Sequence, residues 1–222
     1  MRRHRARSCA RPDPRARARR AAPRADRRPA RALHRAIRDL VGSGEGIFGI
    51  ADSYPKDGPV PFARLEAIEH RSVAYRWKLR GKEARLRTTH GDFHPYNILF
   101  REGCDFTLLD ASRGCVGDPA DDLAALTINY VFGAVVCPEA FTEGIRPLWE
   151  LFWSTYLEGS GDRDLGEVIA PFFAWRALVV ASPVWYPTLR PEARDGLLSF
   201  AERLLAEERF DPRDLTLLAP RA

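Results

Sequence analysis

THGDFHPYNILF, residues 88–99, brings two histidines, an aspartate and an asparagine into a dozen positions just ahead of an apolar run. Three readings compete for such a stretch: a catalytic loop that moves phosphate, a set of metal ligands, or a polar turn leading into a strand. The flanking residues bear on the choice. From Asn97 to Asp110, NILFREGCDFTLLD is two apolar runs joined by a glycine-containing turn, which reads as a β-hairpin. The polar cluster therefore stands where a hairpin begins, and an aspartate closes that hairpin.

Further out the texture is helical. LHRAIRDLVGSG (33–44) has Leu33, Ile37, Leu40 and Val41 at helical spacing and then glycine as a stop. PFARLEAIEHRSVAYRWKLRG (61–81) begins with proline, sets Phe62, Leu65, Ile68, Ser72, Tyr75 and Leu79 on one stripe, and ends in basic residues and Gly81. After the loop ASRGCVGDPA, helices are predicted over 121–136, 139–158, 165–182 and 191–208, punctuated by Pro138, the GSG at 159–161 and Pro187. Asp118, with Pro119 as first helical residue, reads as a helix N-cap. Trp149, Trp153, Trp175 and Trp185 lie in apolar helical surroundings and read as core.

Transfer of a phosphoryl group asks for metal ions on the phosphates, oxygen ligands to hold them and a carboxylate to orient the acceptor hydroxyl. The kinase-type solution sets that carboxylate and an asparagine ligand five residues apart on one loop, with a second aspartate across a hairpin. Asp92 and Asn97 are five apart, and Asp110 follows Asn97 by thirteen. Magnesium suits such a set, because it takes few protein ligands and shares the phosphates. Alone, Asp92 or Asn97 would be read as a turn residue; the trio is not. A distant rival is a metal-dependent hydrolase using His90, Asp92 and His94, which alternate as HxDxH. It lacks further histidines, since only His4, His34 and His70 remain.

HGDFHPYN followed by FTLLDASRGCVGDPADDLA resembles the aminoglycoside phosphotransferase family, also called choline-kinase-like, over about residues 60–205. That resemblance implies an ATP- or GTP-dependent phosphotransferase with Mg2+, passing the γ-phosphate to a hydroxyl of a small molecule. By the same resemblance Asp92 is the catalytic aspartate, Asn97 and Asp110 hold magnesium, His90 shapes the loop, Asp122 braces it, and His94 lines the acceptor side. The implied fold is α+β and mostly α, a protein-kinase-like C-terminal lobe: a helical bundle with a small catalytic β-hairpin over residues 61–210.

The nucleotide-clamping N-terminal lobe is expected to be absent. GEGIFG (44–49) formally matches GxGxxG, but a helix and not a strand precedes it, so 34–60 reads as a helix and hinge-side loop. Ahead of it, residues 1–33 carry 13 arginines against Asp13 and Asp26, a net +11; the remaining 189 residues therefore sum to −6 within the chain's +5. Such an Arg/Ala/Pro segment has little to bury and reads as disordered alone. An artefactual start ranks first for it, a solvated tail second and a nucleic-acid arm third, as it offers no aromatic residue for stacking. Residues 211–222 read as a C-terminal tail. The alternative to the active enzyme is an inactive one-lobe remnant.

Cys9, Cys104, Cys115 and Cys137 form no CxxC pair, so reduced thiols in a cytoplasmic protein are expected. No run is long enough to predict a membrane span. The partners expected are a nucleoside triphosphate and a small hydroxyl compound, with neither membrane nor nucleic acid.

Overall fold

The computed structural model describes residues 37–103, 105–111, 114, 116–207 and 209–218. The arginine-rich segment 1–33 lies outside them, as do Leu33, Cys9, Cys104 and Cys115. Cys137, at the end of a helix, is exposed. Within the described residues the protein is mostly α, with two small two-stranded sheets.

Helix α1 covers 37–42 and buries Ile37, Leu40 and Val41. Helix α2 (Ile47–Asp52) corrects the expectation of a loop across 44–60. GEGIFG is the entry to that helix, with Gly46 at its N-cap. A Cβ on Gly46 would lie 2.3 Å from Asp39 O, and one on Gly49 would lie 2.0 Å from Gly44 O. Close backbone packing therefore accounts for both glycines. Burial of Ile47 and Ile50 supplies what the helix lacks in length.

Helix α3 (Phe62–Leu79) follows the predicted stripe closely: Leu65, Ile68, Ser72, Tyr75 and Leu79 are buried, whereas Phe62 is half exposed. Strand β1 (Arg87–Thr88) pairs antiparallel with β4 (Val116–Gly117), and β2 (Ile98–Phe100) with β3 (Phe106–Leu108) in the register Ile98–Leu108, Phe100–Phe106. The second sheet is the expected hairpin. The first was not legible, because two-residue strands carry no alternation to read. The hairpin leaves Leu99, Phe100, Phe106 and Leu108 largely exposed.

Helix α4 (Pro119–Val136) starts as predicted, with the Asp118 carboxylate accepting from Ala120 N at 2.9 Å. Its first turn carries Asp121 and Asp122, acids at the positive end of the helix dipole. The helix expected over 139–158 instead opens with a 3-10 turn (Pro138–Ala140) and a π turn (Phe141–Ile145) before α5 (Arg146–Ser160). The helix expected over 165–182 divides into α6 (Leu165–Val168) and α7 (Ala170–Ala181), and α8 is Pro191–Ala206.

Apolar α7 packs against α2, α3, α4 and α8, and so forms the centre of the bundle. Trp149, Trp153, Phe173, Phe200 and Phe210 are buried there in edge-to-face and tilted pairs. Phe173 lies 5.2 Å from Phe200 and 5.5 Å from Phe210, and Trp153 joins both Trp149 and Phe210 to it. Truncation of such a ring costs about 3–5 kcal/mol. Trp185 is exposed and Trp175 lies only partly buried, so the full core reading holds for Trp149 and Trp153 alone. The segment expected as a C-terminal tail packs instead: Leu217 and Leu218 are buried, and Arg203 donates to Thr216 O and Leu217 O. Leucines so close to the end of α8 find the core before they find water. Among the described residues no single helix is long and apolar enough to cross a membrane.

Candidate active site

Two carboxylates at the start of α4, the buried N-cap Asp118 and the partly buried Asp122, organise the loop between β1 and β2. Asp122 accepts from the backbone amides of His90 (2.6 Å) and Gly91 (2.8 Å). Charge-assisted hydrogen bonds of this kind contribute about 1.5–3 kcal/mol each. Gly91 has φ +84°, a conformation that glycine adopts without a Cβ penalty, and the turn lets two successive amides face one carboxylate. Asp118, meanwhile, is gripped by Arg85 through two 2.9 Å bonds, and the same guanidinium also reaches Asp162. Burial alone would lower the Arg85 pKa, but the hydrogen bonds from Asp118 and Asp162 outweigh it and the net shift is upward. The start of α4 is thus anchored from both sides.

His90 joins the loop to the far end of the hairpin. Its Nε2–H donates to Leu109 O at 2.8 Å, which leaves Nδ1 to accept from Asp92 N at 3.3 Å. Asn97 donates through Nδ2 to Asp92 O at 2.9 Å. The carbonyl there can only accept, so the amide nitrogen is fixed inward and the amide oxygen is the end left for a cation. Leu109 N donates to Asn97 O at 2.9 Å, extending the hairpin ladder by one step and bringing the Asp110 backbone beside Asn97. Asp110 has φ +51°, and among the described residues no other non-glycine residue has positive φ. A strained backbone at a loop that converges with an asparagine is the kind of outlier that clusters at functional sites.

The Asn97 oxygen and the Asp110 carboxylate are hard oxygen donors, few in number, at the mouth of one hairpin. They fit a magnesium ion that takes its remaining ligands from phosphates and water. Among the described residues no three histidine, cysteine, aspartate or glutamate side chains gather as a metal cluster. His90, Asp92 and His94 therefore do not gather as the ligand set that the HxDxH hydrolase reading requires, while the magnesium reading draws on an amide.

Asp92, partly buried, meets two further side chains. Its Oδ1 lies 3.2 Å from Arg176 Nη1, and its Oδ2 lies 3.8 Å from His94 Nε2. Arg176, on α7, also reaches Asp121 Oδ1 at 3.0 Å through Nη2. Burial pushes the Asp121 pKa up, and the charge and hydrogen bond of Arg176 offset only part of that. The guanidinium stacks on Trp175, 4.1 Å from the ring centroid, and the Trp175 indole donates to Glu45 O at 2.9 Å. A cavity of about 260 Å3 opens beside this group, bounded by Asp39, Glu45, Gly91, Asp121, Phe172 and Trp175. His94 Nδ1 is buried without a hydrogen-bond partner.

Of the residues singled out in the sequence, His90, Asp92, Asn97 and Asp122 are joined by direct hydrogen bonds. Asp110 is brought in through the hairpin ladder, and His94 stands at the edge of the group. Arg176 and Asp121 were missed. They lie 55 positions apart on different helices, and no local pattern marks either.

No curated protein and no solved structure matches the chain. A model of the phosphotransferase enzyme family, APH, matches residues 2–146. The matched region takes in the loop from His90 to Asn97, the hairpin ending at Asp110 and the whole of α4. With most of its length covered, and with those residues meeting as described, the chain belongs to the phosphotransferase enzyme family.

Proposed function

We propose that the chain transfers the γ-phosphate of ATP or GTP to a hydroxyl of a small molecule, on a protein-kinase-like catalytic lobe. The observation that carries this reading is the backbone and side-chain network that ties Asp92, Asn97 and the Asp110 end of the hairpin into one unit.

In the reaction the acceptor oxygen bonds to the γ-phosphorus as the bond to the β-bridging oxygen breaks, and the nucleoside diphosphate leaves. The hydroxyl proton passes to Asp92. Magnesium, when bound, neutralises the phosphate charge that builds up in the transition state. Asn97 and Asp110 would hold it. Asp92 Oδ2 and His94 Nε2, 3.8 Å apart, are too far apart to bond each other well but can both reach one oxygen set to the side of them. In this reading the acceptor hydroxyl sits there, donating to Asp92 and accepting from His94. His90 keeps the Asp92 backbone in step with the Asp110 strand end, and Asp122 holds the turn that carries both.

The test is transfer of label from γ-labelled ATP in the presence of magnesium, with water and a panel of small hydroxyl compounds as acceptors. The full chain should transfer label, and Asp92→Ala should transfer none while unfolding at the same temperature. Turnover by Asp92→Ala would sink the assignment. If the parent chain moves no label and gives no magnesium-dependent heat with ATP, the lobe is a non-catalytic remnant. The exposed apolar face of Phe100, Phe106 and Leu108 on the hairpin is the observation on that side.

A further inference from the structure

Among the described residues Arg176 is the one strongly held cation at the carboxylate proposed to do the chemistry. Its side chain is largely buried, at 12% exposure, and its two terminal nitrogens are divided between Asp92 Oδ1 (3.2 Å) and Asp121 Oδ1 (3.0 Å). The plane of the guanidinium is set by Trp175 beneath it, and Trp175 is in turn set by its bond to Glu45 O. Its third donor, Nε, is buried and has no hydrogen-bond partner. An unpaired buried N–H is unfavourable, because the bond it makes to water in the unfolded chain is not replaced. A guanidinium held at that disadvantage between two carboxylates is retained for where it stands.

An aspartate on a loop can turn either oxygen to its surroundings. The bond from Arg176 removes that freedom, since it occupies Oδ1 and leaves Oδ2 on the side of His94, 3.8 Å away. The second bond, to Asp121, ties the same guanidinium to the first turn of α4, next to the Asp122 that holds the loop backbone. The side chain of Asp92 and its main chain are therefore referred to one rigid helix end by two separate routes. Lysine could not reproduce this, because an ammonium is a point charge without a planar fork.

We propose that Arg176 is a positioning residue for phosphoryl transfer: by bridging Asp92 and Asp121 it presents one oxygen of Asp92, Oδ2, to the acceptor hydroxyl. The proposal rests on the function proposed above, and its test has one arm that does not use activity. In the first arm, the side-chain Nε–H signals of the arginines are followed by 1H–15N NMR in the full chain. Asp92→Asn and Asp121→Asn should each shift the Arg176 signal, while Asp195→Asn, which removes a carboxylate paired with Arg64, should leave it in place. An Arg176 signal that ignores Asp92→Asn overturns the proposal, whatever the enzyme does.

In the second arm, release of inorganic phosphate from ATP with magnesium is measured, with water as acceptor. Arg176→Gln should lower kcat about 10- to 100-fold, the scale of a misplaced catalytic group, with KM for ATP unchanged. Arg176→Lys, which keeps the charge but not the fork, should stay near the Gln variant. Equal loss of kcat and of thermal stability in both variants, or a rise in rate with Arg176→Gln, overturns the proposal; a rise would mean that the guanidinium blocks Asp92. If the parent chain releases no phosphate but the NMR coupling is present, the bridge stands and the phosphotransfer reading is what fails.

Discussion

Asp121 carries a cost at the scale of a single residue. Its side chain is partly buried at the start of α4 next to Asp122, and its pKa is raised mainly by loss of hydration there despite the bond from Arg176. Between the ordinary carboxylate value and the raised one, the folded protein binds a proton that the unfolded chain has released. Stability from this residue is complete below the ordinary value and declines as pH rises through the raised one. Urea unfolding across the mildly acidic range should therefore show stability falling more steeply with pH in the parent chain than in Asp121→Asn. Parallel curves for the two would mean that Asp121 does not titrate differently on folding. Asp121 shows, too, where the sequence is silent. Its neighbour Asp122 stood out through the DLA element, and Asp118 through the proline that follows it, but the partner that gives Asp121 its role comes from a helix far along the chain.

Among the elements, α2 separates local signal from tertiary demand. GEGIFG has the letters of a phosphate-binding loop, and its glycines are required for a different reason: the chain between Gly44 and Gly49 packs backbone on backbone. Gly49→Ala would place a Cβ 2.0 Å from Gly44 O. The expected result is a loss of about 1–3 kcal/mol in stability, the usual scale of overpacking, read from the urea midpoint. Nucleotide binding per folded molecule should not change. A variant that keeps its stability and loses ATP binding would restore the phosphate-cradle reading. The long helices were legible because their period runs over many residues, the hairpin because two apolar runs flank a glycine-containing turn, and the α4 cap because Asp118 and Pro119 are adjacent. Strands β1 and β4 are two residues each, and α6 is four, so only contacts distant in sequence specify them.

At the scale of the whole molecule, Arg85 ties separate elements together. It sits ahead of β1 and holds Asp118, at the start of α4, together with Asp162, at the corner between α5 and α6. Three segments far apart in sequence thus meet on one guanidinium whose side chain is almost fully buried. Removing one member of a buried ion pair leaves its partners charged and unpaired, at a cost of about 3–5 kcal/mol. Arg85→Ala should lose stability on that scale. A loss under about 1 kcal/mol would show that water re-pairs both aspartates, as it does for exposed ion pairs.

The Arg85 tie also bears on how the protein breathes. His90 and Gly91 belong to a half-exposed loop, and loops of that kind usually open on their own and give up their amide protons quickly. Here both amides end on Asp122, and the helix turn that carries Asp122 is bolted through Asp118 and Arg85 to the α5–α6 corner. The loop cannot come loose without loosening the bundle. In deuterated water these two amides should therefore exchange as slowly as the interior of α4 in the parent chain. In Arg85→Ala they should exchange early, ahead of global unfolding, as the site became a separate cooperative unit.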